Sequence, residues 1–159
     1  MCSSSFRNNR PYFEELTQEV ARYKDLQDLS GYYRQGPGSG LFIFEMGNTY
    51  IGFIAVDASQ SAEKGPKTAL IRHFHVDETF RKADAQTSLL DYAISHAFIN
   101  DPELERIQAI DSPLLTYQRS CLHAYGFNLD HQTKTVGLQR WKLGVRYLER
   151  GRWSLNQKL

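Results

Sequence analysis

An α/β fold, with one mixed and mostly antiparallel sheet and helices on both faces, follows from three features of the sequence. Two β-type runs flank Gly47-Asn48, a near-continuous apolar run Thr68–Val76 gives way to a 3.6-residue period from Asp84, and strand and helix patterns then alternate to the end. The chain has 159 residues, 41% hydrophobic and 23% charged, which suits one domain spanning 1–159 and excludes a disordered tail or a collagen-like rod.

The elements follow in order. Residues 1–9 are polar and expected to be flexible. Pro11 opens a helix carrying Phe13, Leu16, Val20 and Tyr23 on one stripe, with Glu14 and Glu15 in its first turn. A second short helix is expected around Leu26 and Leu29. Gly36-Pro37-Gly38-Ser39-Gly40 is the strongest breaker in the chain and reads as a flexible connection; no Lys-Ser/Thr follows it, so it is not a phosphate-binding P-loop. Leu41–Met46 and Thr49–Val56 form a β-hairpin. The polar stretch from Asp57 to Lys67 leads to Thr68–Val76, whose apolar character predicts a central strand. Leu89, Leu90, Ala93, Ile94, Ala97 and Phe98 then mark a helix that Asn100-Asp101-Pro102 ends. Arg106–Ile110 is a short strand. Leu114, Tyr117, Cys121 and Tyr125 share a helical stripe that stops at Gly126, a residue suited to the left-handed conformation beyond a helix end. Phe127–Leu129 and Lys134–Trp141 are expected as a closing pair of strands.

Charge and cysteine content narrow the function classes. Lys and Arg total 19 against 18 Asp and Glu, a net charge of +1, so bulk attraction does not recruit nucleic acid and such a partner is not expected. Cys2 and Cys121 are too few for a disulfide framework, which favours a reducing, intracellular setting. No apolar run approaches the roughly 18 residues of a spanning helix; a membrane association would come from a longer parent protein. The segment 142–159 mixes Lys142, Arg146, Arg150, Arg152 and Lys158 with Tyr147, Leu148 and Trp153. It suits either a surface for a membrane or an acidic partner, or a final strand or tail packing Tyr147 and Trp153 on the domain.

Between Phe74 and Leu90 the sequence reads Phe74-His75-Val76-Asp77-Glu78-Thr79-Phe80-Arg81-Lys82-Ala83-Asp84-Ala85-Gln86-Thr87-Ser88-Leu89-Leu90. This resembles the strand, Arg/Gln-x-x-Gly-x-Gly/Ala loop and helix of the GNAT superfamily of acetyl-CoA-dependent N-acetyltransferases. Tyr117–Phe127, ending in Gly126-Phe127, is similar to the family's second motif, and the resemblance covers roughly Asp25–Trp141. Asp25–Leu29, Tyr32-Tyr33 and Phe42–Glu45 also resemble its membrane-associated NAT8-like branch. The resemblance implies a GNAT-like sheet, acetyl-CoA as cofactor and an amine as substrate. It implies a cofactor site at Phe74, His75, Val76 and Arg81, Lys82, Ala83, Asp84, Ala85, Gln86, where backbone N–H groups and a helix N-terminus meet the CoA pyrophosphate.

Two positions depart from that pattern. Asp84 and Gln86 replace both glycines, and a carboxylate about 4 Å from a pyrophosphate costs on the order of 4 kcal/mol in surface-like dielectric. Asp84 is expected to cap the helix, its side-chain oxygen taking N–H groups that a phosphate would otherwise use. Leu122 stands where family members carry the Tyr that protonates the departing thiolate. Tyr117 projects about 140° away from it around the helix and Tyr125 about 60°, which makes Tyr125 the better substitute of the two, or else a core-packing residue.

His73 and His75 share one face of their strand and are candidates for the general base that deprotonates the amine; each is equally readable as a structural, hydrogen-bonded histidine. Two histidines are not a zinc site, and His96, His123 and His131 add no ligand pattern, so no metal is expected. Glu45 and Asp57 end the hairpin strands, where family pockets hold an amine, or are solvated charges. Two functions stay open: an acetyl-CoA:amine N-acetyltransferase, whose partners are a CoA thioester and an amine, and a catalytically inactive GNAT-like interaction or chaperone-like module that binds a protein.

Overall fold

The computed structural model describes residues 29–59, 65–81, 84–111, 116–135 and 142–158. The chain divides between Tyr32 and Tyr33 into two units. Of the first, the described part is a single helical turn, Leu29–Tyr32. The N-terminal tail and the helix expected from Pro11 lie outside the described residues.

The second unit is built on a six-stranded sheet. Strands β1 (Gly40–Met46), β2 (Thr49–Asp57) and β3 (Thr68–Val76) form an antiparallel meander. Helix α1 (Ala85–Asn100) crosses over to β4 (Arg106–Asp111), which runs parallel to β3. Helix α2 (Thr116–Tyr125) leads to β5 (Asn128–Thr135) and β6 (Lys142–Glu149), and α3 (Arg150–Gln157) closes the chain. The order across the sheet is β1-β2-β3-β4-β6-β5, so all neighbours are antiparallel except β3 and β4.

The patterns read from the sequence explain these elements. Gly47 takes φ 63° in the hairpin turn. Leu89, Leu90, Ala93, Ile94, Ala97 and Phe98 are all buried along α1, against Ile54 and Val56 of β2 and Phe74 and Val76 of β3. An extra residue at Arg72 shifts the β2–β3 register: Val56 pairs with Ile71 and Ala55 with His73. The bulge changes which β3 side chains face α1, from Ala69 and Ile71 before it to Phe74 and Val76 after it, and sends His73 and His75 to the opposite face beside Phe53. Gly126, at φ 119°, ends α2 as expected, and the Phe127 N–H reaches back to the Leu122 carbonyl at 3.0 Å.

Two expectations need correction, and the packing reading of the C-terminal segment is the one observed for Trp153. The closing strands are 128–135 and 142–149, so Lys134 belongs to the first of them and the second lies within the basic, aromatic C-terminal segment. That segment is therefore the strand between β4 and β5, followed by a helix: Trp153 stacks on Phe98 with centroids 5.1 Å apart and donates to Ser95 Oγ at 3.1 Å. Arg150 is likewise engaged, as the packing reading of this segment expects. The glycine-rich connection is tied down as well. Ser39, buried, donates to the Gln35 carbonyl at 2.6 Å and accepts the Ala58 N–H at 2.9 Å.

Candidate functional site

Among the described residues, the one parallel pair of strands, β3 and β4, defines the candidate site. β3 and β4 stay in register only from Thr68–Arg106 to Ile71–Ala109. Beyond that point β3 continues to Val76 paired with β2, and β4 continues to Asp111 paired with β6. The two strands thus part company and leave a wedge with one free edge on each side. Asp77 donates its N–H to Ile51 of β2 at 2.7 Å; by the two-residue alternation of a strand, the backbone groups of Phe74 and Val76 point the other way, into the wedge.

The loop after β3 sits at the mouth of this wedge. A 3₁₀ turn, Glu78–Phe80, is capped by Asp77, whose carboxylate accepts the Thr79 N–H at 3.0 Å. Arg81 folds back to give its Nε–H to the Val76 carbonyl at 3.1 Å, and the buried Gln86 donates its amide to the Arg81 carbonyl at 2.8 Å. Asp84 stands at the N-cap of α1, but its side chain makes no capping hydrogen bond, contrary to expectation. Its ψ of 7° departs from the extended conformation that aims a cap side chain at the first turn, and the exposed carboxylate points elsewhere. The first-turn N–H groups of α1 are therefore not consumed by Asp84. Lys82 and Ala83 lie outside the described residues.

Helix α2 contributes two side chains that the sequence did not single out for this role. The Tyr117 ring lies under the Arg81 guanidinium, 4.0 Å from centroid to Cζ. Gln118 uses one amide nitrogen on both the Tyr117 hydroxyl, at 3.1 Å, and the carbonyl of Phe74. Tyr50, at the start of β2, belongs to the same neighbourhood: burial, then Asp77, then Tyr117 hold its hydroxyl above the ordinary tyrosine range. Phe74, Val76, Arg81, Gln86, Tyr117 and Gln118 are joined by direct contacts.

Tyr125 is placed differently. Its hydroxyl donates to Asp91 of α1 at 2.6 Å, and burial followed by that carboxylate pushes its pKa far above the ordinary value. It serves the α1–α2 contact, whereas Tyr117, set aside on helical angle, faces the loop. Leu122 is buried in the core, as is Cys121, whose thiol is pushed up by burial. His75 is exposed and His73 half-buried on the far face of β3, each ring 6.3 Å from Phe53. Asp57 is engaged within the domain: it is 2% exposed and accepts from Arg72 Nε at 3.0 Å and from the Ser59 N–H and hydroxyl at 3.0 and 2.5 Å. Glu45 is exposed. Among the described residues no group of three His, Cys, Asp or Glu could hold a metal, and no helix is long and apolar enough to cross a membrane. A cleft of about 500 Å³ opens elsewhere, between β1 and α1, lined by Leu41, Phe42, Ile43, Phe44, Ser88, Leu89 and Tyr92; no candidate site residue lines it.

The geometry has clear counterparts among solved structures. An acetyltransferase of the GNAT family from Streptococcus pneumoniae superposes with a TM-score of 0.65 at 11% identity, covering 79% of this chain and 75% of that one. YncA of Salmonella typhimurium, a putative acetyltransferase solved with its cofactor acetyl-CoA, gives 0.64 at 20% identity over 80% of this chain and 75% of that one. A Vibrio cholerae spermidine N-acetyltransferase chimera gives 0.62 at 13% identity over 93% and 95%. No family model matches the sequence, and no curated protein matches it. The fold is that of the GNAT acetyltransferases.

Proposed function

We propose that the chain is an acetyl-CoA-dependent N-acetyltransferase acting on an amine. The observation that carries this reading is the wedge between β3 and β4, with the N-terminus of α1 at its mouth. The residues suit the cofactor: a sixteen-residue helix offers first-turn N–H groups that Asp84 leaves untaken, and Arg81 adds a positive charge beside them. Neighbouring folds lend the same support, one solved with acetyl-CoA and one a spermidine N-acetyltransferase.

Acetyl-CoA supplies an acyl group activated as a thioester. The loop from Arg81 to Gln86 binds the pyrophosphate, and the Phe74 and Val76 backbone orients the acyl-bearing arm. His75 or His73 removes a proton from the amine. Tyr117, rather than Tyr125, is the hydroxyl proposed to return one to the thiolate leaving the thioester; the Tyr125–Asp91 hydrogen bond supports that choice. A second reading, a non-catalytic GNAT-fold module, is favoured by the Asp84 carboxylate at the helix mouth.

Calorimetric titration with acetyl-CoA and CoA tests the proposal. Micromolar binding is expected, tightened roughly tenfold at low salt by Asp84→Asn and less at high salt, because the removed repulsion is between partly solvated charges. No detectable binding at millimolar ligand refutes the enzyme and leaves the module.

A further inference from the structure

The free edge of β3 is not bare. Its wedge-facing acceptors, the carbonyls of Phe74 and Val76, are both taken by side chains: the Gln118 amide on the first and the Arg81 guanidinium on the second. Tyr117 links the two, its ring under Arg81 and its hydroxyl on the Gln118 amide. Carbonyls two residues apart on a strand are spaced about 6.8 Å, and here three side chains stand where a neighbouring strand would have stood. Phe74 is 8% exposed, so its carbonyl is costly to leave without a donor.

We propose that Gln118 is a built-in competitor in the wedge, its side-chain amide holding the Phe74 carbonyl until an amide-bearing acyl carrier displaces it. Resting on the acyl-CoA reading, the inference is that the Gln118 amide occupies the donor position on Phe74 and leaves only when a ligand brings an amide N–H of its own. The pantetheine arm of CoA carries two amides and makes that exchange in kind. A nucleotide without the arm binds the loop but leaves Gln118 in place.

The test compares the full chain with Gln118→Ala and Gln118→Leu, titrating CoA and adenosine 3′,5′-bisphosphate as the armless probe. Loss of one self-made hydrogen bond is expected to tighten CoA by roughly two- to tenfold in both variants and to leave the armless nucleotide unchanged. Unchanged or weakened CoA binding in Gln118→Ala overturns the inference while leaving the acyl-CoA reading intact. A gain in Gln118→Ala but not in Gln118→Leu assigns the effect to bulk and also overturns it. Failure of wild type and variants alike to bind CoA refutes the acyl-CoA reading, and the inference with it.

Discussion

Arg150 fastens the far end of α1, and replacing it gives a prediction that can be worked from the structure. Its Nε donates to the Leu104 carbonyl at 2.7 Å, Nη1 to Phe98 at 3.1 Å and Nη2 to Asp101 at 2.7 Å, with Cζ 4.9 Å from the Phe98 ring centroid. One guanidinium thus takes the Phe98 carbonyl that the helix end leaves orphaned together with two carbonyls just beyond it, and its positive charge faces the negative pole of the helix. At about 1 kcal/mol net per bond, and more for a charged donor, Arg150→Ala forfeits about 3–4 kcal/mol. The side chain is only half-buried, so water recovers part of this, and the expected loss is about 2–3 kcal/mol. For a chain of this size that lowers Tm by roughly 5–10 °C. A lysine cannot span three carbonyls, so Arg150→Lys is expected to lose about two thirds as much. Urea denaturation followed by circular dichroism measures both. A cost below about 1 kcal/mol for alanine, or a lysine variant as stable as wild type, refutes the clamp.

Two other substitutions have definite expectations. Asp57→Ala removes a carboxylate partner of Arg72 and an acceptor of Ser59 in a buried spot, and is expected to cost about 3 kcal/mol by urea denaturation. Tyr125→Phe removes the hydrogen bond to Asp91 and is expected to cost about 1–2 kcal/mol at pH 7. Because folding raises the Tyr125 pKa, its contribution is complete below about pH 10, the ordinary tyrosine value, and is lost as pH climbs toward the raised one; the gap between wild type and Tyr125→Phe should therefore narrow above pH 10. A gap that stays constant to pH 11 contradicts that assignment.

Much of the scaffold was legible because it obeys simple periods. The hairpin, β3 and α1 lie where alternation, apolar run and 3.6-residue stripe put them. β6 was hidden because Gly144 interrupts it and Arg146, a charged residue, is 8% exposed where a strand pattern calls for an apolar one. The site was half legible. Arg81 announces itself in the loop motif, but Gln118 is a neutral amide without a motif, and its partner Phe74 lies 44 residues away. The choice between Tyr117 and Tyr125 turned on angles around an isolated helix. What bears on it is tertiary: Asp91, on another helix, accepts from the Tyr125 hydroxyl.

The short seam between β3 and β4 also has a mechanical meaning. Four registered residue pairs join a half-sheet of β1–β3 to one of β4–β6, whereas the β1–β2 seam has seven. The first half is stitched from sequence-adjacent strands, through a two-residue turn and a ten-residue connection; the seam must wait for the longer α1 crossover, which makes it a late and weak joint in folding. Sub-global opening therefore starts there, with the amides of Thr68–Ile71 exchanging with solvent before those deep in β2. A molecule lodged between the parted strands works against that opening as a staple, so occupancy of the wedge registers as slowed exchange across the seam as well as heat in a calorimeter.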